Sequence, residues 1–159
     1  MSGEPSPGRA RAQQAAPLSY ALGSAARAHH RRMLQLLGEI GLVPGQELLV
    51  VELASTPGVT QAELVVRLRV EQPTIAKMLG RLERAGIVRR APDSGDARRF
   101  RLYLAGDGDA LAGAVVQQWE AMDRELGQAL SAAEREQLRL LLGKVKDRFE
   151  TDTEAVAPN

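Results

Sequence analysis

The chain has 159 residues, a net charge of +1 and no cysteine. The lack of cysteine excludes disulfides, thiol nucleophiles and cysteine-ligated metal sites, and it fits a reducing cytoplasm. With 44% hydrophobic but only 3% aromatic residues, the chain suits one globular domain with an aliphatic core.

The sequence predicts neither a membrane span nor a secretion signal. No apolar run reaches the roughly 18 residues that a span needs, and residues 1–17 lack the apolar core of a signal peptide. Their proline, glycine, serine and arginine content predicts a disordered arm, and residues 151–159 read as a flexible tail.

Two helices are predicted in the first third of the chain. Between Leu18 and Ile40 the residues of one stripe recur at helical spacing: Leu22, Ala25, Ala26, His29, Met33, Leu36, Leu37 and Ile40. Gly41 ends this helix. Pro44 suits the first turn of a second helix, which runs to about Ala54.

A short helix, a tight connection and a two-faced helix come next. Thr60 and Glu63 match a capping box that opens the short helix. Pro73 suits the first turn of the following helix, and Gly86 is placed to stop it. One face of that helix is apolar, with Ile75, Met78, Leu79 and Leu82; the other carries Thr74, Lys77, Arg81 and Arg84.

The pattern then changes to a period of two, which predicts a hairpin. Ile87 and Val88 start one strand, and residues 91–97 form a turn cluster. Phe100, Leu102 and Leu104 alternate with Arg99, Arg101 and Tyr103, as expected of a half-buried strand. The tip and the outer face of this hairpin are basic.

The remainder is helical and supplies more apolar surface than a small core needs. One stripe comprises Leu111, Val115, Trp119, Met122, Leu126 and Leu130; a second capping box, Ser131 and Glu134, precedes another stripe, Leu138, Leu141, Leu142, Val145 and Phe149. The surplus, together with the long first helix, predicts that the ends of two chains intertwine in a homodimer.

Charge is distributed unevenly along the chain. Residues 61–104 hold ten Lys or Arg against five acids, leaving +5, whereas the residues from 105 onward hold six bases against eleven acids, leaving −5. A helix-turn-helix followed by a basic hairpin in such a segment is a winged helix-turn-helix. Its second helix would enter the DNA major groove, and the hairpin would reach the minor groove.

Residues 42–142 resemble the MarR family of bacterial transcriptional regulators. The similarity rests on LVPGQELLVVEL, on TQAELVVRLRVEQPTIAKMLGRLERAGIVRR, on DSGDARRFRLYLAGDG and on LSAAEREQLRLLL. It implies a mainly α fold with a small β-hairpin: a single domain over 18–150, with dimerisation helices at 18–41 and 106–150 and a winged helix-turn-helix at 44–104. It also implies a homodimeric repressor that binds a pseudo-palindromic operator.

The resemblance carries the DNA contacts over residue by residue. The recognition helix would present Gln72, Pro73, Thr74, Lys77 and Arg81, while Arg98 of the wing would enter the minor groove with Asp96 as a brace. Arg99 beside it is also expected to contact DNA. Two positions depart from the family's pattern: Val43 and Ala105 replace threonines that would cap helices. Asp107 can substitute for the second of these caps.

The resemblance also implies a small anionic aromatic effector, bound between the dimer helices and the DNA-binding module. Arg27, His29, His30 or Arg31 could meet its carboxylate, and Trp119 or Met122 could line the pocket. The alternative is that the histidines and Trp119 only pack in the core or the dimer interface. Two adjacent histidines without cysteine make a poor zinc site, so no metal or other cofactor is expected.

Two other function classes remain as alternatives. The charged stripe could be only a solvated helix face, in a winged-helix module that binds protein and not DNA. An enzyme is not expected, because the sequence has no glycine-rich phosphate loop, metalloprotease motif or nucleophile elbow.

Overall fold

The computed structural model describes residues 6–96 and 99–155, with side chains described as far as residue 150. These residues form a mostly helical fold with one antiparallel β-hairpin, which confirms the predicted fold class. The elements are α1 (Pro7–Ala15), α2 (Pro17–Gly38), α3 (Gln46–Ser55), α4 (Gln61–Leu68), α5 (Gln72–Arg84), β1 (Val88–Pro92), β2 (Phe100–Leu104), α6 (Gly108–Gln128) and α7 (Ala132–Ala155).

The chain divides into two compact units between residues 118 and 119. The first unit has an aliphatic core, as its composition predicts, made of Met33, Leu36, Leu37, Leu42, Leu49, Val50, Leu53, Val59, Leu64, Ile75, Leu79, Leu82, Val88, Leu102 and Val115. Leu64 of α4 and the apolar stripe of α5 therefore point inward where the helical period places them, whereas the predicted stripe of α2 is buried only at Met33, Leu36 and Leu37 and is exposed at Leu22, Ala25, Ala26 and His29. The predicted single domain over 18–150 stays a prediction.

Within the first unit, the second strand of the hairpin, β2, is hydrogen-bonded to the residues that precede α4. The Gly58 N–H donates to the Leu102 carbonyl at 2.9 Å, and the Leu102 N–H donates to the Val59 carbonyl at 3.0 Å. This bridge to residues 58 and 59 lies on the opposite edge of β2 from β1. The strand is thus bonded on both edges, which ties the hairpin to the chain just before α4.

The ends of the chain differ from the prediction of a disordered arm and a flexible tail. Residues 7–15 form α1 and not an irregular arm, since Pro7 suits a first helical turn and the alanines, arginines and glutamines that follow are good helix formers. At the other end, α7 continues to Ala155, past the predicted boundary at residue 150. Residues 1–5 and 156–159 lie outside the described part of the chain.

The start of α3 also departs from expectation. Pro44 precedes the helix and does not lie in its first turn, because Gly45 adopts a left-handed conformation with φ 98°. Val43 stands where the family's pattern has a capping threonine, and two other side chains bond the backbone here. The Gln46 side chain accepts the Val43 N–H at 3.1 Å, and the Glu47 carboxylate accepts the Gly45 N–H at 2.6 Å. Two polar side chains from inside the helix thus satisfy donors that precede it.

Asp107 caps α6, as predicted. Its Oδ1 accepts the Ala110 N–H at 3.0 Å, the usual geometry of an aspartate that immediately precedes a helix. The loss of threonine at Ala105 is therefore compensated two residues later. The second predicted capping box is also present: Glu134 Oε2 accepts the Ser131 N–H at 2.8 Å, and the Ser131 hydroxyl accepts the Glu134 N–H at 3.4 Å.

The apolar stripe of α7 is exposed in the single chain. Each large apolar side chain of this helix that the structure describes is at least 38% exposed: Leu138, Leu140, Leu141, Leu142, Val145 and Phe149. In α2, Leu18, Leu22 and Leu34 are also exposed, whereas Met33, Leu36 and Leu37 are buried. An apolar stripe exposed along one helix, as in α7, marks an interaction site in a folded protein.

Candidate nucleic-acid interface

Helices α4 and α5 form a helix-turn-helix whose first helix begins with the predicted capping box. The Thr60 hydroxyl accepts the Glu63 N–H at 3.3 Å, and the Glu63 carboxylate accepts the Thr60 N–H at 2.7 Å. Hydrogen bonds from the Thr60 backbone and then from its hydroxyl lower the pKa of Glu63. Arg69 ends α4 in a left-handed conformation with φ 50°, so that only residues 69–71 separate the two helices.

Helix α5 buries one face and exposes the other. Ile75, Leu79 and Leu82 are completely or almost completely buried, and Met78 is half-buried. The five residues predicted to contact DNA from this helix are all exposed: Gln72, Pro73, Thr74, Lys77 and Arg81. The structure therefore places them together on the solvent side of a helix that the core holds by its opposite face.

Arg84, which continues the basic stripe, is engaged within its own helix. Its Nε donates to the Gly80 carbonyl at 2.9 Å. The acid of this helix is also engaged: Glu83 forms an ion pair with Arg90 of β1. Since Glu83 is paired, it does not directly offset Lys77 or Arg81.

The register of the hairpin shows which residues share a face. Val88 lies opposite Leu104, Arg90 opposite Leu102 and Pro92 opposite Phe100, and directly opposite residues in an antiparallel pair project to the same side. Val88 and Leu102 are buried on this side, as predicted for Leu102. Phe100 lies on this same side, as the alternation predicts, but its side chain is 49% exposed, because it lies two residues beyond Leu102, outside the core.

The other face of the hairpin holds a stacked pair. The Arg89 guanidinium lies over the ring of Tyr103, 4.5 Å from its centroid, in the arrangement of a cation–π interaction. Arg89 and Tyr103 are also direct partners across the two strands. The stacking accounts for one of the arginines that the basic outer face was predicted to present.

The turn of the wing is organised by Asp93, which the sequence prediction did not single out. Its Oδ1 accepts the N–H groups of Gly95 at 2.7 Å and Asp96 at 3.3 Å, and its other oxygen pairs with Arg101. The Gly95 N–H, and after it the Arg101 guanidinium, lower the pKa of Asp93 against the opposing effect of burial. An aspartate two residues before a glycine is a typical turn signal. The hydrogen bonds of Asp93 within the turn could therefore have been predicted from the sequence.

The predicted brace can be located only in part. Arg98 lies outside the described residues. Asp96 is exposed, and its Oδ2 lies 3.7 Å from Nε of Arg99, whose side chain is 73% exposed. The structure thus brings Asp96 next to Arg99, and the pairing of Asp96 with Arg98 remains a prediction.

The residues of the predicted effector pocket fall in both units. Arg27, His29, His30 and Arg31 lie on α2 and are exposed. Trp119 is half-buried and Met122 is buried, both on α6. None of the six lines a cleft of about 220 Å³ in the first unit, which is bounded by Leu53, Ala54, Pro57, Arg89, Tyr103, Leu104, Gly106, Asp107, Gly108 and Asp109.

Two further features concern metals and membranes. Over residues 6–96 and 99–155, histidine, aspartate and glutamate nowhere gather in a group of three or more that could hold a metal ion. None of the helices in the described part of the chain combines the length and the apolar character needed to cross a membrane.

A helix-turn-helix with an exposed, partly basic second helix and an adjoining hairpin is a winged helix-turn-helix, and comparison with known proteins identifies the family. A model described as "MarR family" matches residues 41–99. The transcriptional regulator HosA of Escherichia coli O127:H6 is 33% identical over 93 residues, which are 58% of this chain and 69% of HosA.

Solved structures of the same family share the fold. The crystal structure of the transcriptional regulator SlyA superposes with a TM-score of 0.73 and 26% identity, covering 87% of this chain and 98% of that one. A crystal structure of an E. coli MarR mutant complexed with operator DNA gives a TM-score of 0.73 and 25% identity, over 84% of this chain and 96% of that one. The chain belongs to the MarR family of transcriptional regulators.

Proposed function

We propose that the protein is a homodimeric, sequence-specific DNA-binding regulator that represses transcription from an inverted-repeat operator in the cytoplasm. The observation that carries the proposal is the geometry of α5. Its apolar face is buried, while Gln72, Thr74, Lys77 and Arg81 are exposed together on the other. An exposed helix of this width fits the major groove, and amide, hydroxyl and cationic groups can bond base edges or phosphates there.

The wing extends the same proposed interface. Arg90 of β1 pairs with Glu83 of α5, which joins the hairpin to the recognition helix. Arg99 is largely exposed beside Asp96 at the wing turn. We assign Arg98 and Arg99 to the minor groove, whose negative potential attracts arginine. The likeness to a MarR protein solved with operator DNA supports this assignment.

Dimerisation is proposed from the exposed apolar side chains of α7 and of the first half of α2. Leu141 and Phe149 are 50% and 63% exposed, and a second copy of the chain would remove such surface from water. We propose that residues 18–41 and 106–150 form the dimer helices. A small anionic aromatic effector is proposed to bind near them, through Arg27, His29, His30 or Arg31 and against Trp119 or Met122.

Selection of bound fragments from a genomic DNA pool, followed by gel shift on the recovered sites, tests the proposal. Enrichment of fragments that share a dyad-symmetric sequence is the expected result. Failure to enrich any sequence, with the protein folded and dimeric, would instead favour a winged-helix module that binds another protein.

A further inference from the structure

The wing is held by a second anchor besides the strand hydrogen bonds. Arg101, the second residue of β2, pairs with Asp93 in the wing turn and donates from Nη1 to the Gly58 carbonyl at 2.9 Å. Gly58 lies two residues before Thr60, the N-cap of α4. One guanidinium therefore connects the far end of the wing to the chain that leads into the helix-turn-helix.

Both partners of Arg101 are themselves fixed. Asp93 accepts two backbone N–H groups of the turn, from Gly95 and Asp96, and its side chain is only 10% exposed. Gly58 is buried, donates its own N–H to Leu102 and adopts φ 84°, a conformation that favours glycine. Since each partner is held by hydrogen bonds within its own segment, a guanidinium bonded to both restrains the distance between the wing turn and Gly58.

Arginine suits this role for a geometric reason. Its planar fork presents several donors in fixed directions, so one side chain can serve a carboxylate and a carbonyl together. A lysine has a single ammonium on a flexible stem and holds such a pair less well. With Arg101 committed to Asp93 and Gly58, the side chain has less freedom to grip a phosphate.

We infer that Arg101 and Asp93 are positioning residues for DNA recognition, a clamp that sets the wing relative to the helix-turn-helix. The inference rests on the proposed function. It differs from the brace predicted between Asp96 and Arg98, since it uses other residues and reaches outside the hairpin to Gly58. Its role is to reduce the freedom of the wing before DNA binds, so that less ordering is needed on binding.

Asp93→Asn distinguishes this clamp from simple electrostatics. Asparagine can still accept the turn N–H groups but cannot form the ion pair with Arg101. Removal of a negative charge from a DNA-binding surface should by itself tighten binding. The clamp predicts the opposite sign, a loss of roughly tenfold in affinity, the equivalent of one charge-assisted hydrogen bond.

The experiment measures affinity for the selected operator of the wild type, Asp93→Asn, Arg101→Gln and the double variant, with circular dichroism to establish that each is folded. We expect both single variants to weaken binding, and the double variant to be little worse than either. Arg101→Lys should recover part of the loss. The matched controls are Glu52→Gln and Arg67→Gln, which break an ion pair of 2.7 Å between α3 and α4. Their operator affinity should stay within about twofold of the wild type, because ion pairs at the surface contribute little.

The outcomes separate the inference from the proposed function. If the wild type binds the operator and Asp93→Asn binds it equally well or more tightly, the inferred clamp is wrong, while the proposed function as a DNA-binding regulator stands. Additive losses in the double variant also contradict it, since they would show that the two residues act independently. If the wild type enriches no DNA sequence, the proposed function fails, and the clamp fails with it.

Discussion

Glu83 of α5 and Arg90 of β1 form an ion pair, which joins the proposed recognition helix directly to the first strand of the hairpin. The pair is only partly exposed, at 29% for Glu83 and 39% for Arg90. Because Glu83, the acid of α5, is paired with Arg90, it does not directly offset the charges of Lys77 and Arg81. The exposed face of this helix presents the cations Lys77 and Arg81, together with Arg84 that is bonded within the helix, and the neutral polar side chains of Gln72 and Thr74.

The first prediction separates base reading from phosphate contact on α5. Gln72, Thr74 and Lys77 lie toward the start of the helix, where recognition helices usually meet base edges. An alanine at a base-reading position should cost about 1–3 kcal/mol and relax the preference at one base pair. Arg81→Ala should weaken all sequences alike and lower the salt dependence by a slope of about 1 per subunit contact, hence about 2 for a dimer.

Competition binding of these four alanine variants against single-base operator variants, at two salt concentrations, measures both effects. Uniform losses in all four, with every base preference intact, would mean that α5 is not the reader. Specificity would then have to come from the wing and from DNA shape.

The second prediction concerns Arg98 in the wing. Arg98→Ala should weaken operator binding and leave the fold and the oligomeric state unchanged, because a residue of a hairpin turn contributes little to a core. Fluorescence anisotropy at moderate salt measures the affinity, and thermal unfolding supplies the control. Unchanged affinity would show that the family's wing arginine has been assigned to the wrong position.

The third prediction concerns the dimer and its operator. Leu141→Glu should shift the protein toward monomer and abolish cooperative operator binding, since it places a charge on the exposed apolar face of α7. Glu136→Gln, which alters a solvent-exposed acid of the same helix, is the matched control and should remain dimeric.

Light scattering at micromolar concentration measures the oligomeric state, and selected sites should show two half-sites about 10 base pairs apart. A wild-type monomer, or selected sites without a dyad, would contradict the assignment of α7 to dimerisation.

The fourth prediction uses the capping box of α4. The pKa of Glu63 is lowered in the folded state by hydrogen bonds from Thr60. A carboxyl group with a lowered pKa contributes stability above its unfolded value, near 4.5, and that contribution is lost as the pH falls through the folded value. Glu63→Gln does not titrate, so its free energy of unfolding should fall less than that of the wild type between pH 5 and pH 3.

Urea unfolding over this range provides the comparison, with Thr60→Ala as a second variant. Thr60→Ala should cost about 1 kcal/mol at neutral pH, because the Glu63 N–H loses its acceptor. Parallel pH profiles for the wild type and Glu63→Gln would show that the capping carboxylate contributes no pH-dependent stability.

Much of this architecture was predictable because its determinants are local. The capping boxes at Thr60 and Ser131 each join residues three apart, and Asp107 compensates for Ala105 at the start of α6 within the same short stretch. The buried face of α5 follows from the helical period alone. Interactions within one turn depend on a few neighbouring residues, so their sequence pattern is enough to predict them.

Tertiary structure decided what depends on contacts between different elements. The Arg101 guanidinium reaches the Gly58 carbonyl across 43 positions, and the Glu83–Arg90 pair joins a helix to a strand; neither follows from periodicity. Alternation placed Phe100 inward, yet the core ends at Leu102 and leaves Phe100 half exposed. A period assigns a residue to a face, but only the packed elements determine how far along that face the core extends, because burial requires a neighbour on the other side.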